Sequence, residues 1–223
     1  MYKKITLFAL VALLALLQGC ATGPVQKFDY SKFRAENPRS VLIVPAVNHS
    51  VDVDAPDYYL STISLPLAER GFYVFPINLV KGIMEENGLS DADMVHQADP
   101  RRLGELFGTD AVLYVIIERW DARYAVFSTT VTVEFVYVLK SAVSGEELWR
   151  TREMRQYSPD NSNSGGSPIA QLIAAAISAA VAKAAPNYIP LTKQANAFAV
   201  NKHHTGLPAG PYHPNHGLDT EQY

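Results

Sequence analysis

Cysteine is all but missing from this chain: Cys20 is the only one in 223 residues. No internal disulfide is possible, so the fold must rest on its apolar core. Several chemical signatures are missing as well. The chain has no Gly-rich phosphate cradle, no Gly-x-Ser-x-Gly elbow and no His-Glu-x-x-His pair, which removes the nucleotide-binding, serine-hydrolase and zinc-protease patterns. No Lys/Arg block occurs, and Arg101-Arg102 is the only adjacent basic pair after residue 4. That speaks against nucleic acid as a partner. No uncharged apolar run reaches the ~20 residues of a bilayer-spanning helix.

What is present first is a leader. Lys3 and Lys4 form a basic head, Ile5 to Leu17 an apolar run of 13 residues, and Gln18, Gly19 and Cys20 a break. This is the layout of a secretory signal. Leu17-Gln18-Gly19-Cys20 resembles a bacterial lipobox, cut before Cys20 so that the cysteine carries the lipid; an ordinary signal ending near a cysteine is the plainer alternative. A lone thiol in a secreted protein would otherwise be open to oxidation or pairing, and acylation uses it up. The resemblance to bacterial lipoproteins implies a diacylglyceryl group plus an amide-linked chain such as palmitate. At ~0.8 kcal/mol per buried methylene, more than one chain makes release negligible. Ala21, where an aspartate would retain the protein, implies the outer membrane. The lipid bilayer, reached through acylated Cys20, is thus the first expected partner.

Removing residues 1–19 leaves 204, enough for one domain with tails. The loss of Lys3 and Lys4 leaves 17 basic against 22 acidic residues, a formal charge of −5. Residues 20–39 hold several breakers and no apolar period, and are expected to be a tether. Residues 40–200 are expected to be a single α/β domain, and residues 201–223, which hold four of the six histidines with repeated Gly and Pro, an extended tail.

Within the domain, Ser40 to Val47 is a β-branched run typical of a strand buried on both faces, broken or bulged at Pro45. The loop Asn48 to Asp57 leaves its carboxyl end, where α/β folds place ligand sites. Asp54 and Pro56 open a helix to about Arg70, with Leu60, Ile63 and Leu67 inward and a kink or early end at Pro66. Phe72 to Pro76 is a second strand, Ile77 to Asn87 a helix, Ser90 to Asp99 a loop or short helix, and Arg101 to Phe107 a helix closed by Gly108. Ala111 to Ile117 is a third buried strand. This β-α-β-α-β order predicts a layered α/β core.

From Glu118 to Tyr157 the helical period vanishes. Thr130, Thr132 and Glu134 alternate with Val131, Val133, Phe135 and Tyr137, and Ser144-Gly145-Glu146 turns the chain. An antiparallel hairpin follows, pairing residues near 131–140 with residues near 147–156, with Arg150, Arg152 and Arg155 exposed. After a flexible stretch from Ser158 to Gly166, Ile169 to Ala185 reads as a long Ala-rich helix, apolar nearly all round. It is expected to pack on the sheet. The alternative is an interface between copies, with Ile169, Leu172, Ile173, Ala176, Ile177, Ala180 and Val181 as its contact residues and a homo-oligomer as its product. Leu191 to Val200 is a further amphipathic piece.

Candidate chemistry is sparse. His203, His204, His213 and His216 suit Zn²⁺ or Cu²⁺, but their segment offers no scaffold to hold ligands in place. Asp52, Asp54 and Asp57 are spaced like part of a calcium loop without its glycine and terminal glutamate. Asn48-His49-Ser50 matches a glycosylation sequon of little meaning in a bacterial envelope, and His49 is a base without a visible nucleophile. No catalytic residue, cofactor or metal site is assigned, and a non-enzymatic protein is expected.

The lipobox, Ser40 to Val47, the stretch Leu67 to Pro76 with its Arg70-Gly71-Phe72, the run Leu106 to Leu113 and the ending Gly206-Leu207-Pro208-Ala209-Gly210-Pro211-Tyr212 together resemble the neisserial GNA-type lipoproteins. That family is a domain of unknown function often encoded beside a lipoprotein similar to CsgG, the curli secretion pore. The run Leu106 to Ala111 is also similar to domains like the amino-terminal part of TolB and of CsgG. The resemblance implies an α/β domain that makes protein contacts, plausibly with a CsgG-like envelope lipoprotein, on the periplasmic face of the outer membrane and within a transport or secretion complex. Two other roles stand beside it. A small-ligand carrier would use the loops Asn48–Asp57 and Ser158–Gly166 as a mouth. A CsgG-like pore subunit would insert the strands from Tyr124 to Tyr157, which would need a lipid-facing apolar side about ten residues long.

Overall fold

The β-branched runs and the helix caps between them build one mixed six-stranded sheet with helices on both faces. A computed structural model describes residues 28–124, 129–158, 175 and 188–223. The elements are α1 (Ser31–Glu36), β1 (Ser40–Ile43), β2 (Val47–Asn48), α2 (Ala55–Glu69), β3 (Tyr73–Val74), α3 (Ile77–Glu86), α4 (Ala92–Gln97), α5 (Pro100–Phe107), β4 (Ala111–Tyr124), β5 (Thr129–Ser141), β6 (Glu147–Tyr157) and α6 (Ile189–Asn201). The α/β expectation holds.

The strand order is β3-β1-β4-β5-β6, with β2 also on β4. Strands β3, β1 and β2 run parallel to their neighbours, and the β4-β5-β6 meander is antiparallel. The period of two in β1 sends Val41 and Ile43 to one core and Leu42 and Val44 to the other. α2 and α6 cover the first face with Tyr59, Ile63, Leu67, Leu191 and Ala195. α3, α4 and α5 cover the second with Val80, Met84, Val95 and Leu103. The run Ser40–Val47 divides at Pro45, which lacks a ladder donor, into β1 and β2. A bulge between Ile117 and Arg119 resets the alternation of β4, so Ile117 and Trp120 both enter the first core.

Five expectations change. The segment 28–39 is part of the domain and not a tether. It forms α1, and Tyr30 and Phe33 are buried, Phe33 edge-on to Phe72 at 6.2 Å and Tyr30 edge-on to Tyr223 at 5.8 Å. The tail 201–223 is likewise packed, with Leu207, Ala209 and Tyr223 buried. α2 does not end early: it runs through the buried Pro66 to Glu69. Arg155 is not an exposed strand residue, since its guanidinium lies 3.7 Å from the centre of the Phe198 ring and it pairs with the buried Glu153 at 2.7 Å. Thr132, on the side of β5 whose Thr and Glu residues read as facing water, is also buried.

The hairpin register is as expected, Val131 opposite Tyr157 and Leu139 opposite Trp149. Its apolar side, Val131, Val133, Phe135 and Tyr137, is fully used by the domain's own core. Among the described residues no helix is long and apolar enough to cross a membrane. Cys20, the loop Ser158–Gly166 beyond its first residue, and the expected helix Ile169–Ala185 except Ala175, its contact residues included, lie outside the described residues.

Candidate functional site

The loop after β2 is braced by its own side chains. Asn48 Oδ1 accepts from the Ser50 N–H at 3.0 Å and from Ser50 Oγ at 2.7 Å, and Asn48 Nδ2 donates to the Asp52 carbonyl at 2.7 Å. Asp52 Oδ1 accepts from the Asp54 N–H at 3.0 Å, and Asp52 Oδ2 accepts from Trp120 Nε1 at 3.1 Å. These are Asx turns in series, local bonds that hold a loop without a sheet ladder. Asp54 precedes α2 as expected, but its side chain makes no capping bond. Both oxygens of Asp52 accept hydrogen bonds, one from the loop backbone and one from the Trp120 indole, so Asp52 serves to brace the turn.

The bracing has a result that composition does not show. Val51 is 98% exposed and Val53 85% exposed, held out on a fixed loop. Below them Tyr58 stacks on Trp120 at 5.9 Å, and Trp120 on Tyr188 at 4.6 Å. The series Asn48-x-Ser50-x-Asp52-x-Asp54 was the signal that could have revealed it, since each acceptor meets an N–H two residues on. His49 Nδ1 stands 3.6 Å from Glu118 Oε2 at the loop's start.

A second cluster unites distant segments. Arg70 Nη2 pairs with Asp219 Oδ2 at 2.9 Å, with side chains only 11% and 9% exposed. Arg70 Nε donates to the Leu207 carbonyl at 2.6 Å, and its guanidinium lies 4.8 Å from the centre of the Tyr223 ring. Asp219 Oδ2 also accepts from the Ala209 N–H at 2.7 Å. The Gly210 N–H bonds to the Arg70 carbonyl and the Tyr212 N–H to the Gly71 carbonyl. Gly71 holds φ +88, and a Cβ on Gly210 would overlap the Gly71 carbonyl oxygen, so both must be glycine. The Arg70-Gly71-Phe72 stretch and the Gly206–Tyr212 ending, far apart in the chain, thus form one clasp.

The histidines of the tail have separate local tasks. His216 Nδ1 lies 2.8 Å from the Ala209 carbonyl, and His213 Nδ1 accepts from the Asn215 N–H at 3.0 Å. Among the described residues no three His, Cys, Asp or Glu side chains are grouped to hold a metal ion. His96 is the histidine with the most marked environment. Burial against Tyr114 depresses its pKa, while the Pro45 carbonyl 3.0 Å from Nε2 opposes the shift. Burial also raises the Glu153 carboxyl.

A third feature is a groove of about 840 Å³ between α2 and the β3–α3 connection, lined by Leu60, Leu65, Ala68, Val74, Phe75 and Ile77 among others. Asp57 and Lys81, 3.8 Å apart, bridge it.

The family model described as "Putative lipoprotein GNA1162-like" matches residues 28–212, the interval from the first described residue to the end of the clasp segment. A curated relative, "Putative lipoprotein NMB1124/NMB1162" of Neisseria meningitidis serogroup B (strain ATCC BAA-335 / MC58), is 35% identical over 178 residues, 80% of each chain. The crystal structure of lipoprotein GNA1162 from Neisseria meningitidis is 30% identical with a TM-score of 0.55, covering 66% of this chain and 99% of that one. A PelC dodecamer from Paraburkholderia phytofirmans covers 70% of this chain and 89% of that one. At 18% identity and a TM-score of 0.41 it is too distant to carry an argument.

Proposed function

Because the chain belongs to the GNA1162-like lipoprotein family, we propose that it is a non-enzymatic docking component of the bacterial envelope, acylated on Cys20 and held at the periplasmic face of the outer membrane. In this role it contributes to assembly of a transport or secretion complex, with a CsgG-like lipoprotein as partner and further copies of itself as neighbours. The observation that carries the reading is the pair of exposed valines, 51 and 53, on a loop locked by Asn48 and Asp52. Exposing two apolar side chains on a rigid mount forgoes the burial they would gain on a partner, roughly 1.5–3 kcal/mol each. Preorganising the loop lowers the entropy cost of that contact.

The location of the mount fits the anchor. Seven residues lie between Cys20 and Phe28, the first described residue, and eight extended steps at ~3.3 Å bound the reach at ~26 Å. Phe28 bonds to His204, and the adjoining Thr205 carbonyl accepts from Trp149, opposite Leu139 and so beside Leu113 of β4. Trp120 lies seven residues further along β4, ~23 Å at ~3.3 Å per residue. The valine loop beside it thus lies well along β4 from the Phe28 attachment, which supports a mount turned away from the anchor.

The test is a photo-crosslinking residue at position 51 or 53 in the full-length protein inside cells, with fractionation and mass spectrometry of residue 20. We expect protein adducts from both positions, acylated Cys20 and an outer-membrane fraction. A bare Cys20, or no protein adduct at either position, would remove the proposal.

A further inference from the structure

The sheet has two edges, and the chain treats them differently. β6 carries charge along its length, with Arg150 paired to Glu147 and Arg152 to Glu134, both at 2.7 Å. Charged side chains are a common guard against strand addition. β3 has none: its residues are Tyr73 and Val74.

Among the described residues no strand lies beyond β3, and the ladder shows what this edge offers. Tyr73 N–H bonds to the Arg39 carbonyl at 2.9 Å and Phe75 N–H to the Val41 carbonyl at 3.4 Å, so these two residues face β1. Val74 lies between them, and by strand alternation its N–H and C=O point off the sheet. They point to the side where the groove lies, and Val74 is itself part of its lining. On the α2 wall Leu65 is 60% exposed, and on the edge itself Tyr73 is 52% exposed with its side chain on the sheet face opposite to that of Val74.

We propose that this edge and groove accept an extended peptide of a partner protein, with apolar side chains at alternate positions, added as one more strand beyond β3. The proposal rests on the docking role above and names the chemistry of one partner segment. One backbone bridge to Val74 fixes the register. One peptide side chain enters the groove against Leu65 and Ala68, and its neighbours in the peptide meet Tyr73 on the other face. Pro76, two residues on, ends the donor series and limits the addition to a short bridge. An acyl chain would fill the groove but could not satisfy the Val74 N–H and C=O, and a helix interior has no free pair to offer them.

The test uses the full-length acylated protein in its own envelope, with a photo-crosslinking residue at Leu65. Adducts to a peptide with alternating apolar residues are expected. Val74→Pro deletes the outward N–H without touching the two bonds to β1 and should cut the adduct about tenfold, the ratio one lost backbone bridge gives. Val74→Thr keeps that N–H and should leave the yield unchanged. Ala68→Lys, on the exposed side of α2, should cut it as strongly, and decides the matter if Val74→Pro melts early. Equal yields from Val74→Pro and wild type, or full yield from Ala68→Lys, would overturn the proposal. So would a lipid as the trapped species. Adducts from position 53 with none from 65 would overturn it too while leaving the docking role intact; none from either would remove both.

Discussion

Replacing Arg70 by alanine tests whether the clasp, rather than the bulk of the core, holds the C-terminal segment in place. The guanidinium has three partners: the Asp219 carboxylate at 2.9 Å, the Leu207 carbonyl at 2.6 Å and the face of Tyr223. Both members of the ion pair are about nine-tenths buried. Removing one member of such a pair leaves the other charged without compensation, which costs about 3–5 kcal/mol. The Ala209 N–H still donates to Asp219 and keeps the loss toward the lower end. For a domain of this size each kcal/mol lowers Tm by about 2–4 °C, so R70A should melt roughly 10 °C below wild type. Residues 203–223 should become cleavable by chymotrypsin at Tyr212, which is already 68% exposed. The paired change R70M/D219L removes both charges and should recover most of the loss, because well-packed apolar residues often replace a buried pair at little cost. Circular dichroism melts with timed proteolysis read both effects. A single mutant within 2 °C of wild type with a protected tail, or a double mutant no better than the single, would refute the reasoning.

Three further outcomes follow from named contacts. His96 has a folded pKa pushed below its ordinary 6.5, mainly by burial, so the unfolded chain binds its proton first. Its contribution is intact above pH 6.5 and is lost as pH falls through the lower folded value; His96→Gln should flatten the denaturant midpoint between pH 7 and 5, and an unchanged slope would count against this. Gly210→Ala puts a methyl onto the Gly71 carbonyl and should cost about 1–3 kcal/mol by denaturant unfolding, while Gly82→Ala, with open space around it, should be neutral or slightly stabilising. Trp120→Phe keeps the stack between Tyr58 and Tyr188 but drops the bond to Asp52, so amide exchange across residues 50–54 should speed up by about tenfold.

Much of the domain could be read along the chain because its signals are local. Val41–Val44 and Ala111–Ile117 are apolar runs with no helical period, Pro100 and Gly108 bracket α5, and Gly145 turns the hairpin. The valine loop was legible only in part. Its polar composition foretold a loop after the first strand, but the outward aim of Val51 and Val53 depends on Trp120, whose indole fixes Asp52 from another strand. The segment holding Tyr30 and Phe33 was misread for a related reason. Its breakers suggest a tether, and only the distant rings of Phe72 and Tyr223 turn its two aromatics into core.

The sequence by itself carried the expectation of a leader with a lipobox cysteine, and it determined the order of strands and helices and the resemblance to a lipoprotein family, since each is written in contiguous residues or fixed spacing. Tertiary structure alone decided that residues 28–39 join the core, that the Gly- and His-rich ending closes over Arg70 as a clasp, and which sheet edge has no further strand among the described residues. Those outcomes depend on contacts between residues far apart in the chain, such as Tyr30 with Gly206 and with Tyr223, and no local pattern encodes which distant partner a side chain will meet.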